Sequence, residues 1–362
     1  MPEDTLDNKF MRAALREAAR GLGHTSPNPA VGAVIVRGGR MVGRGWHRQA
    51  GAPHAEIEAI RSLKRADLTR GTTMYVTLEP CSTYGRTPPC VDAIIRHGFA
   101  RVVIGATDPN PHHAGRGLEI LRAAGIEVTA GVLEAQCAAL NAAFNHWIVT
   151  GRPFVIAKAG LSLDGRFTRP PGEGQWLTNE AARIDAMRLR AQVDAILVGA
   201  ETVRADNPRL TLRGVPEEDA EMGDAETRTD HPRLTLPGIT GTRQPWRVIV
   251  TRSGRLPAKA HLFTDEHRDR TLVYRAKSLD AVLRDLGKRQ ITSVVIEGGG
   301  QLLGEAFDRR LVNRVHFYLA PLICGGPVVI GGRGASSTAE STALKNAAYT
   351  RIGDDLRLQA DI

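Results

Sequence analysis

One histidine and two cysteines in the first third of the chain could bind a metal ion. His54 stands two residues before Glu56, and the cysteines are Cys81 and Cys90. One imidazole and two thiolates offer three ligands to Zn²⁺ and leave a fourth position open for water, which is typical of catalytic zinc rather than structural zinc. Such a water is acidified near neutral pH, and Glu56 is placed to carry protons between it and a leaving group. The pattern therefore predicts a hydrolytic zinc site.

The spacing of the ligands narrows this prediction. The order His-x-Glu, then Pro-Cys and Cys, resembles the zinc-dependent cytidine and nucleobase deaminase superfamily. That superfamily usually has two residues between its cysteines, whereas eight separate Cys81 from Cys90 here. The insert is rich in turn-forming residues, so the thiols can still converge. Cys90 also begins a helical pattern, and a helix N-terminus stabilises a thiolate. The alternative interpretation is a pair of buried or disulfide-bonded cysteines.

Length and composition indicate a soluble protein of two domains. A chain of 362 residues is too long for one ordinary core. A boundary is expected near residues 146–153, where Gly151-Arg152-Pro153 precedes a new apolar strand, so we predict domains over 1–147 and 152–362. The start of the chain has no apolar run and the chain has only four cysteines, so we expect a cytoplasmic protein with no membrane partner.

The net charge of +9 is spread evenly along the chain. Residues 1–150 carry 17 Lys and Arg against 13 Asp and Glu, which gives +4, and the rest carry 31 against 26, which gives +5. A nucleic-acid-binding protein more often concentrates basic residues in one patch. A mildly basic surface suits an anionic small molecule at least as well, so we predict no nucleic-acid partner.

Strand and helix patterns alternate in both halves, which predicts an α/β fold in each. In the first half we expect Asp7 to cap a helix over about 8–20. Further helices are predicted over 54–64, from Cys90 and over 118–124, with strands over 31–36, 41–46, 73–78, 101–106 and 126–130. In the second half strands are predicted over 154–159, 195–199, 246–250, 272–274, 293–296 and 315–319. A Gly-rich turn, Glu297–Gln301, leads into a helix over 302–307. Residues 215–245 are predicted to form an acidic surface loop.

With these residues placed, the whole chain resembles the bifunctional riboflavin-biosynthesis deaminase/reductase family. The matching strings are Thr25–Pro29 with Val31–Val34, His54–Glu56, Pro80–Cys90, Asp108–Pro111, Leu161–Gly165, Gln175–Thr178, Thr202–Pro208 and the Glu297 turn. The resemblance implies a cytidine-deaminase-like α/β/α sandwich followed by a dihydrofolate-reductase-like α/β domain. The second domain is not expected to be a Rossmann domain, because Leu303 stands where the third glycine of that fingerprint would be.

The resemblance also implies two consecutive reactions. First, 2,5-diamino-6-(5-phosphoribosylamino)pyrimidin-4-one loses its 2-amino group as ammonia, with Zn²⁺ on His54, Cys81 and Cys90 and with Glu56 moving the protons. Asn28 would hold the pyrimidine edge, although an asparagine between two prolines is also a common turn residue. Second, NADPH reduces the ribosylamino group, giving 5-amino-6-(5-phosphoribitylamino)uracil.

For the reductive site, the resemblance implies three groups of residues. Those expected to be catalytic are Lys158, Asp206 and Glu297. Those expected to contact NADPH are Gly160, Trp176, Thr202, Asp206, Arg252, Gly299 and Gly300. Those expected to contact the substrate are Gly174, Arg190, Leu210, Arg213 and Glu297, with the arginines suited to the ribose phosphate. A strand-end lysine that reaches water is the alternative interpretation of Lys158, and a solvated turn residue is that of Arg252.

The chain departs from the family pattern at two places. Thr83 stands where the family usually has His, and His112-His113 replaces residues that are more often apolar. We interpret the second change as a loop variation, not as another metal site. The alternatives to the bifunctional enzyme are a nucleic-acid deaminase and a zinc-stabilised binding protein without turnover. We expect a homo-oligomer, a dimer or a tetramer.

Overall fold

The computed structural model describes residues 5–64, 69–84, 88–111, 113–167, 176–212, 243–326 and 328–362. Most of the predicted acidic loop over 215–245 therefore lies outside the described residues. The described residues form two compact units, of which the first ends at Gly151 and the second begins at Arg152. Within the described ranges, no helix has the length and apolar character needed to cross a membrane.

The first unit is built on a five-stranded sheet with the order β2-β1-β3-β4-β5. β1 pairs antiparallel with β2 and β3, whereas β3, β4 and β5 run parallel. The strands are β1 (Gly32–Arg37), β2 (Arg40–Trp46), β3 (Thr73–Leu78), β4 (Arg101–Ala106) and β5 (Glu127–Ala130). The helices are α1 (Leu6–Ala19), α2 (Ala55–Arg61), α3 (Cys90–Arg96), α4 (Arg116–Ala123), α5 (Glu134–Leu140) and α6 (Ala142–Thr150).

Side chains that alternate along the strands divide the core of this unit into two layers. Ala33 and Ile35 of β1 pack with α2, α3 and α4 on one face of the sheet. Val34 and Val36 pack with α1 and α5 on the other face. The unit is therefore the α/β/α sandwich that the sequence predicts, with a sheet that is parallel over three of its five strands.

The prediction that Asp7 caps the first helix is wrong. Thr5 is the N-cap of α1, and its hydroxyl oxygen accepts a hydrogen bond of 3.2 Å from the backbone N–H of Asn8. Asp7 lies in the first turn and accepts two hydrogen bonds, of 2.9 and 2.8 Å, from Arg101 and one of 2.8 Å from the Tyr75 hydroxyl. The Arg101 hydrogen bonds lower the pKa of Asp7. Its carboxylate thus links the helix to strands β3 and β4.

The second unit is built on an eight-stranded sheet with the order β12-β13-β11-β6-β10-β7-β8-β9. The strands are β6 (Phe154–Ser162), β7 (Ala195–Gly199), β8 (Trp246–Thr251), β9 (Thr271–Arg275), β10 (Ser293–Glu297), β11 (Arg314–Ala320), β12 (Lys345–Ile352) and β13 (Asp355–Asp361). The helices are α7 (Glu180–Gln192), α8 (Ala200–Asp206), α9 (His261–Thr264), α10 (Leu279–Lys288) and α11 (Gly300–Asp308). β6 to β11 run parallel, and β12 and β13 form an antiparallel hairpin at one edge that the sequence analysis did not predict.

The side chains of strand β6 point alternately to the two faces of this sheet. Val155 and Ala157 pack with α10 and α11 in the main core of the unit. Lys158 is the next residue along the strand, so its side chain points to the opposite face. On that face, Tyr318 of β11 packs against Ala182 of α7. The helix α7 therefore covers the side of the sheet that carries Lys158.

The close contact between α1 and β1 depends on Gly32. A Cβ atom at this position would lie 2.1 Å from the Ala14 carbonyl oxygen and 2.3 Å from the Ala18 nitrogen. These are backbone atoms that no side-chain rotation can move. Overpacking of a core typically costs about 1–3 kcal/mol.

We expect Gly32→Ala to lower the midpoint of thermal unfolding by several degrees, because α1 must move away from the sheet. Gly199→Ala is the control, since its Cβ would meet no atom within 4 Å and its φ is −80°. Circular dichroism melts of both variants check the expectation. Equal midpoints for the two variants would contradict it.

Candidate active sites

The three predicted zinc ligands come together at the ends of three elements. His54 precedes α2, Cys90 is the first residue of α3, and Cys81 follows β3. The Nδ1 atom of His54 lies 3.4 Å from the Cys81 sulfur and 3.3 Å from the Cys90 sulfur. All three ligand atoms lie within 4.8 Å of one another. Tetrahedral zinc holds such ligand atoms roughly 3.5–4 Å apart, so the geometry fits this metal. Both cysteines are free thiols, which excludes the disulfide alternative.

Hydrogen bonds among the three predicted ligands shift their pKa values, and the resulting protonation pattern is compatible with binding of a cation. The Cys90 and His54 side chains lower the pKa of Cys81 to about 4. The thiolate of Cys81 raises the pKa of His54 to about 9, and its hydrogen bond raises the pKa of the buried Cys90 thiol. His54 and Cys90 thus hold protons beside the Cys81 thiolate, at the place where a divalent cation would bind and displace those protons.

Glu56 lies beside this cluster in the first turn of α2. Only 3% of the residue is exposed, and burial raises the pKa of its carboxyl. A raised pKa makes a carboxyl group a better proton acceptor than an exposed one. The structure therefore places the Glu56 carboxyl beside the three predicted ligands, and its role as a proton carrier stays a prediction.

Asn28 is connected to the zinc cluster through His47. The Asn28 Nδ2 atom lies 3.0 Å from His47 Nε2, and His47 Nδ1 lies 3.0 Å from the Pro53 carbonyl oxygen. A carbonyl only accepts, so Nδ1 carries the proton and Nε2 accepts from the Asn28 amide. The His47 ring also meets the His54 ring edge-on, with centroids 5.3 Å apart. The sequence analysis missed His47, although its position directly after β2 and near His54 was a usable signal.

A second residue that the sequence analysis missed is Glu79. Its carboxylate is 5% exposed and accepts hydrogen bonds of 3.2, 2.9 and 2.8 Å from the backbone N–H groups of Asp108, Gly115 and Gly117. Glu79 immediately precedes Pro80-Cys81. It therefore ties the strand end that carries a zinc ligand to the loop before α4.

Thr83 and His113, one from each departure from the family pattern, lie next to each other in the structure. The Thr83 hydroxyl lies 3.5 Å from His113 Nε2, although 30 residues separate them in sequence. His113 Nδ1 is buried without a hydrogen-bond partner among the described residues. His112 and residues 85–87 of the insert lie outside the described ranges. The imidazole of His113, which belongs to the loop over 108–115, therefore lies next to Thr83.

In the second unit, Lys158 and Glu297 lie side by side because β6 and β10 are parallel and pair these residues in register. The Lys158 Nζ atom is 3.6 Å from Glu297 Oε2. Arg190 reaches down from α7 and donates from Nε and Nη2 to the two carboxylate oxygens of Glu297 at 2.7 and 2.8 Å. Removing one partner of such a buried pair costs about 3–5 kcal/mol. Burial raises the pKa of Glu297, but the charges of Arg190 and Lys158 outweigh it and lower the pKa to about 2.

Residues predicted to contact the cofactor gather at the turn after β10. Gly298 and Gly299 have φ values of +86° and +78°, a conformation that favours glycine. A Cβ on Gly299 would lie 3.5 Å from the Thr202 hydroxyl oxygen, so α8 approaches this turn. Gly300 begins α11. The backbone N–H groups at the start of a helix suit a phosphate group.

Two other predicted cofactor residues, Gly160 and Trp176, have contacts outside this turn. Gly160 of β6 faces Thr178, whose Cγ2 atom would lie 3.2 Å from an added Cβ. Trp176 is 50% exposed, with the Arg183 guanidinium 5.7 Å from its ring centre. Trp176 therefore offers a ring that solvent molecules can reach.

The remaining predicted residues are dispersed or undescribed. Asp206 ends α8 and Arg252 follows β8, and both are exposed. Among the described contacts, no hydrogen bond or ion pair joins either residue to the Lys158–Glu297 pair. Leu210 is buried with a φ of +51°. Gly174 and Arg213 lie outside the described residues.

A buried polar network that the sequence analysis missed adjoins Lys158 on its other side. β11 is the second parallel neighbour of β6 and pairs His316 with Lys158. The Tyr318 hydroxyl donates to Asp185 of α7 at 2.7 Å and lies 3.0 Å from His316 Nε2. Arg357 of β13 donates to Asp185 at 2.9 and 3.0 Å. Single polar residues in strands that are otherwise apolar gave no sequence signal for this network.

Comparison with known families agrees with both sites. Residues 4–106 match the family described as the cytidine and deoxycytidylate deaminase zinc-binding region. Residues 153–358 match the RibD C-terminal domain. The first match lies within the first unit and includes all three predicted zinc ligands, and the second match lies in the second half of the chain.

Full-length relatives carry the same pair of units. The chain is 41% identical to riboflavin biosynthesis protein RibD of Actinobacillus pleuropneumoniae, covering 97% of this chain and 94% of the relative. It is 38% identical to RibD of Escherichia coli, covering 97% and 98%. Among solved structures, RibD of Acinetobacter baumannii has a TM-score of 0.83 at 35% identity, covering 98% of each chain. The diaminohydroxyphosphoribosylaminopyrimidine deaminase/5-amino-6-(5-phosphoribosylamino)uracil reductase of Thermotoga maritima has a TM-score of 0.84 at 34% identity, also covering 98% of each.

These matches confirm the predicted cytidine-deaminase-like first domain and the predicted reductase domain. They also confirm the deaminase and reductase activities, with Zn²⁺ and NADPH as cofactors. The chain belongs to the RibD family of bifunctional riboflavin biosynthesis proteins.

Proposed function

We propose that this enzyme deaminates 2,5-diamino-6-(5-phosphoribosylamino)pyrimidin-4-one and then reduces the ribosyl group of the product to ribityl. The final product is 5-amino-6-(5-phosphoribitylamino)uracil. The observation that carries the proposal is the convergence of His54, Cys81 and Cys90 on a buried Glu56. The relative of known structure from Thermotoga maritima has both reactions in its name, which supports the choice of substrate.

In the deaminase, His54, Cys81 and Cys90 would hold Zn²⁺, which supplies an acidified water when bound. Water adds to ring carbon 2, the bond from this carbon to the amino group breaks, and ammonia leaves. Glu56 takes one proton from the attacking water and delivers it to the ring nitrogen, and it then carries the proton of the new C2 hydroxyl to the departing amine. Asn28, oriented by His47, holds the edge of the pyrimidine.

In the reductase, NADPH supplies the hydride when bound, with Gly160, Trp176, Thr202, Asp206, Arg252, Gly299 and Gly300 as its contacts. The reaction adds hydride at the sugar C1′, breaks the C1′–O4′ bond and places a proton on O4′. Lys158 lies at this site beside Glu297, and we assign it the delivery of that proton. Glu297 stays ionised and holds the Lys158 ammonium group from the neighbouring strand.

We place the deaminase in residues 1–147 and the reductase in 152–362, and the boundary of the two compact units after Gly151 supports this division. We also propose that the enzyme acts in the cytoplasm on a free small molecule, with no nucleic-acid or membrane partner. The even spread of charge between the two halves supports this view.

We expect Glu56→Gln to lower ammonia release by about 10²- to 10⁴-fold, because the proton carrier is removed. Zinc content should stay unchanged, since the three ligands remain. Glu58→Gln is the matched control on the same helix, where Glu58 pairs with Arg48 and Arg61 at the surface. An ammonia assay with metal analysis checks this, and NADPH oxidation on the deaminated substrate should survive. Loss of both activities together would contradict independent sites.

We expect Lys158→Met to abolish NADPH oxidation and to leave ammonia release at the level of the unmodified enzyme. The substitution removes the proton donor while keeping an unbranched side chain in the strand. Lys288→Met, at the exposed end of α10, is the control. Spectrophotometry at the NADPH absorbance band measures the first activity. Deamination that fails together with reduction would count against the proposal.

We propose that the enzyme is a homo-oligomer, a dimer or a tetramer. Helix α6 supports this, because it is rich in apolar residues, including Trp147 and Ile148, and none of its residues is buried in the single chain. Multi-angle light scattering should give two or four times the chain mass of 39.1 kDa. A mass equal to that of one chain at micromolar concentration would rule out the assembly.

A further inference from the structure

We propose that Asp164 and Asp308 are positioning residues for NADPH in the reductase. Each carboxylate anchors one end of a segment, the strap (residues 322–326 and 328–334), that packs on the Gly-rich turn Glu297–Gln301. That turn is expected to hold the phosphate groups of the cofactor. The inference rests on the proposed reductase function, and it gives a role to two residues that the sequence analysis did not place in the reductive site.

The strap follows β11 and lies across the start of α11 through its backbone. The Gly331 N–H donates to the Gly300 carbonyl oxygen at 2.9 Å. A Cβ on Gly300 would lie 2.7 Å from the Val328 carbonyl oxygen, and one on Gly304 would lie 2.3 Å from the Gly331 carbonyl carbon. Both positions must therefore be glycine for the strap backbone to approach the helix this closely. This contact adds to the cofactor contact predicted for Gly300.

The hydrogen bond from Gly331 bears on phosphate binding because a peptide unit is planar. The Gly300 carbonyl and the Gln301 N–H belong to the same peptide unit, so a partner that fixes the carbonyl direction also fixes the N–H direction. The first N–H groups of a helix have no partner within the helix, and they are the groups that bind a phosphate. The strap therefore orients a donor that the cofactor would use.

Asp164 holds the first end of the strap. Its Oδ1 atom accepts from the Cys324 N–H at 3.1 Å, and its Oδ2 atom accepts from the Gly325 N–H at 2.7 Å. The Ser162 hydroxyl at the end of β6 donates to the same carboxylate. The hydrogen bond from Ser162 and those from the strap lower the pKa of Asp164, so its carboxylate is ionised at neutral pH. The strap is thus tied to the end of the strand that carries Lys158.

Asp308 holds the second end of the strap from the last residue of α11. Its Oδ2 atom accepts from the Arg333 N–H at 2.8 Å, and its Oδ1 atom accepts from the Gly334 N–H at 3.2 Å. A helix dipole disfavours a carboxylate at the C-terminal end. The two strap donors therefore offset a charge that the helix alone does not favour, which indicates that Asp308 serves the strap.

Burial of side chains contributes little to holding the strap. Val329 is 8% exposed, whereas Ile323 is 76% exposed and Val328 is 50% exposed. Exposed apolar side chains gain little of the free energy that burial supplies. Val329 also donates its N–H to the Gly165 carbonyl oxygen at 2.9 Å. The position of the strap therefore depends on backbone hydrogen bonds, and those at its two ends are made to the two aspartates.

The experiment compares Asp308→Asn with the unmodified enzyme, because an amide replaces one accepting oxygen by a donor and leaves a strap N–H unpaired. In hydrogen exchange without cofactor, we expect the amides of residues 328–334 to exchange about tenfold faster. Calorimetric titration with NADPH should give a Kd about tenfold higher. The kcat of NADPH oxidation at saturating NADPH should stay within about twofold, since the reacting groups are unchanged.

Glu305→Gln is the matched control on the same helix, where Glu305 pairs with Arg309 at the surface. It should leave both the exchange of the strap and the Kd for NADPH unchanged. Asp164→Asn tests the other end of the strap. It should raise the Kd in the same way, with faster exchange over residues 322–326.

Faster exchange of the strap with an unchanged Kd for NADPH would overturn the inference, since the strap would then not position the cofactor turn. Unchanged exchange in both aspartate variants would overturn it as well, because the carboxylates would then not be anchors. If Asp308→Asn fails to fold, as judged by circular dichroism, Asp164→Asn decides the question alone. An unmodified enzyme that binds no NADPH would defeat the proposed function instead, so the two failures are distinguishable.

Discussion

Each active site contains a carboxylate that is buried at the end of a strand. A buried carboxylate is costly unless hydrogen-bond donors or cations pair with it. Glu79 follows β3 and accepts three backbone N–H groups, while Glu297 ends β10 and lies between Arg190 and Lys158. The first pairing fixes the loop next to the zinc ligands, and the second fixes the cation of the reductive site. In both units the partners that a buried carboxylate requires thus hold the neighbouring groups of the site in defined positions.

The deaminase site was predictable because its residues are close in sequence and chemically distinctive. His54, Glu56, Cys81 and Cys90 span fewer than 40 residues, and each lies where a helix begins or a strand ends. Apolar, β-rich runs likewise predicted most strands to within one or two positions. The capping prediction failed at Asp7 because its strongest partner, Arg101, lies 94 residues away, which no local pattern reveals.

The reductive site was predictable only in part, since its contacts are long-range. Arg190 meets Glu297 across 107 residues, and the network of Asp185, Tyr318 and His316 joins a helix to a strand more than 130 residues later. Family resemblance supplied the names of candidate residues there. It did not supply their geometry, such as the two hydrogen bonds from Arg190 to Glu297.

The central claim is that one chain removes ammonia at one site and reduces the resulting sugar derivative at another. The most direct measurement incubates purified protein with the diaminopyrimidine substrate and follows ammonia first without NADPH and then after NADPH is added. We predict full ammonia release before NADPH is present, followed by oxidation of one NADPH for each ammonia released. Oxidation of NADPH without prior ammonia release, or ammonia release that requires NADPH, would contradict it.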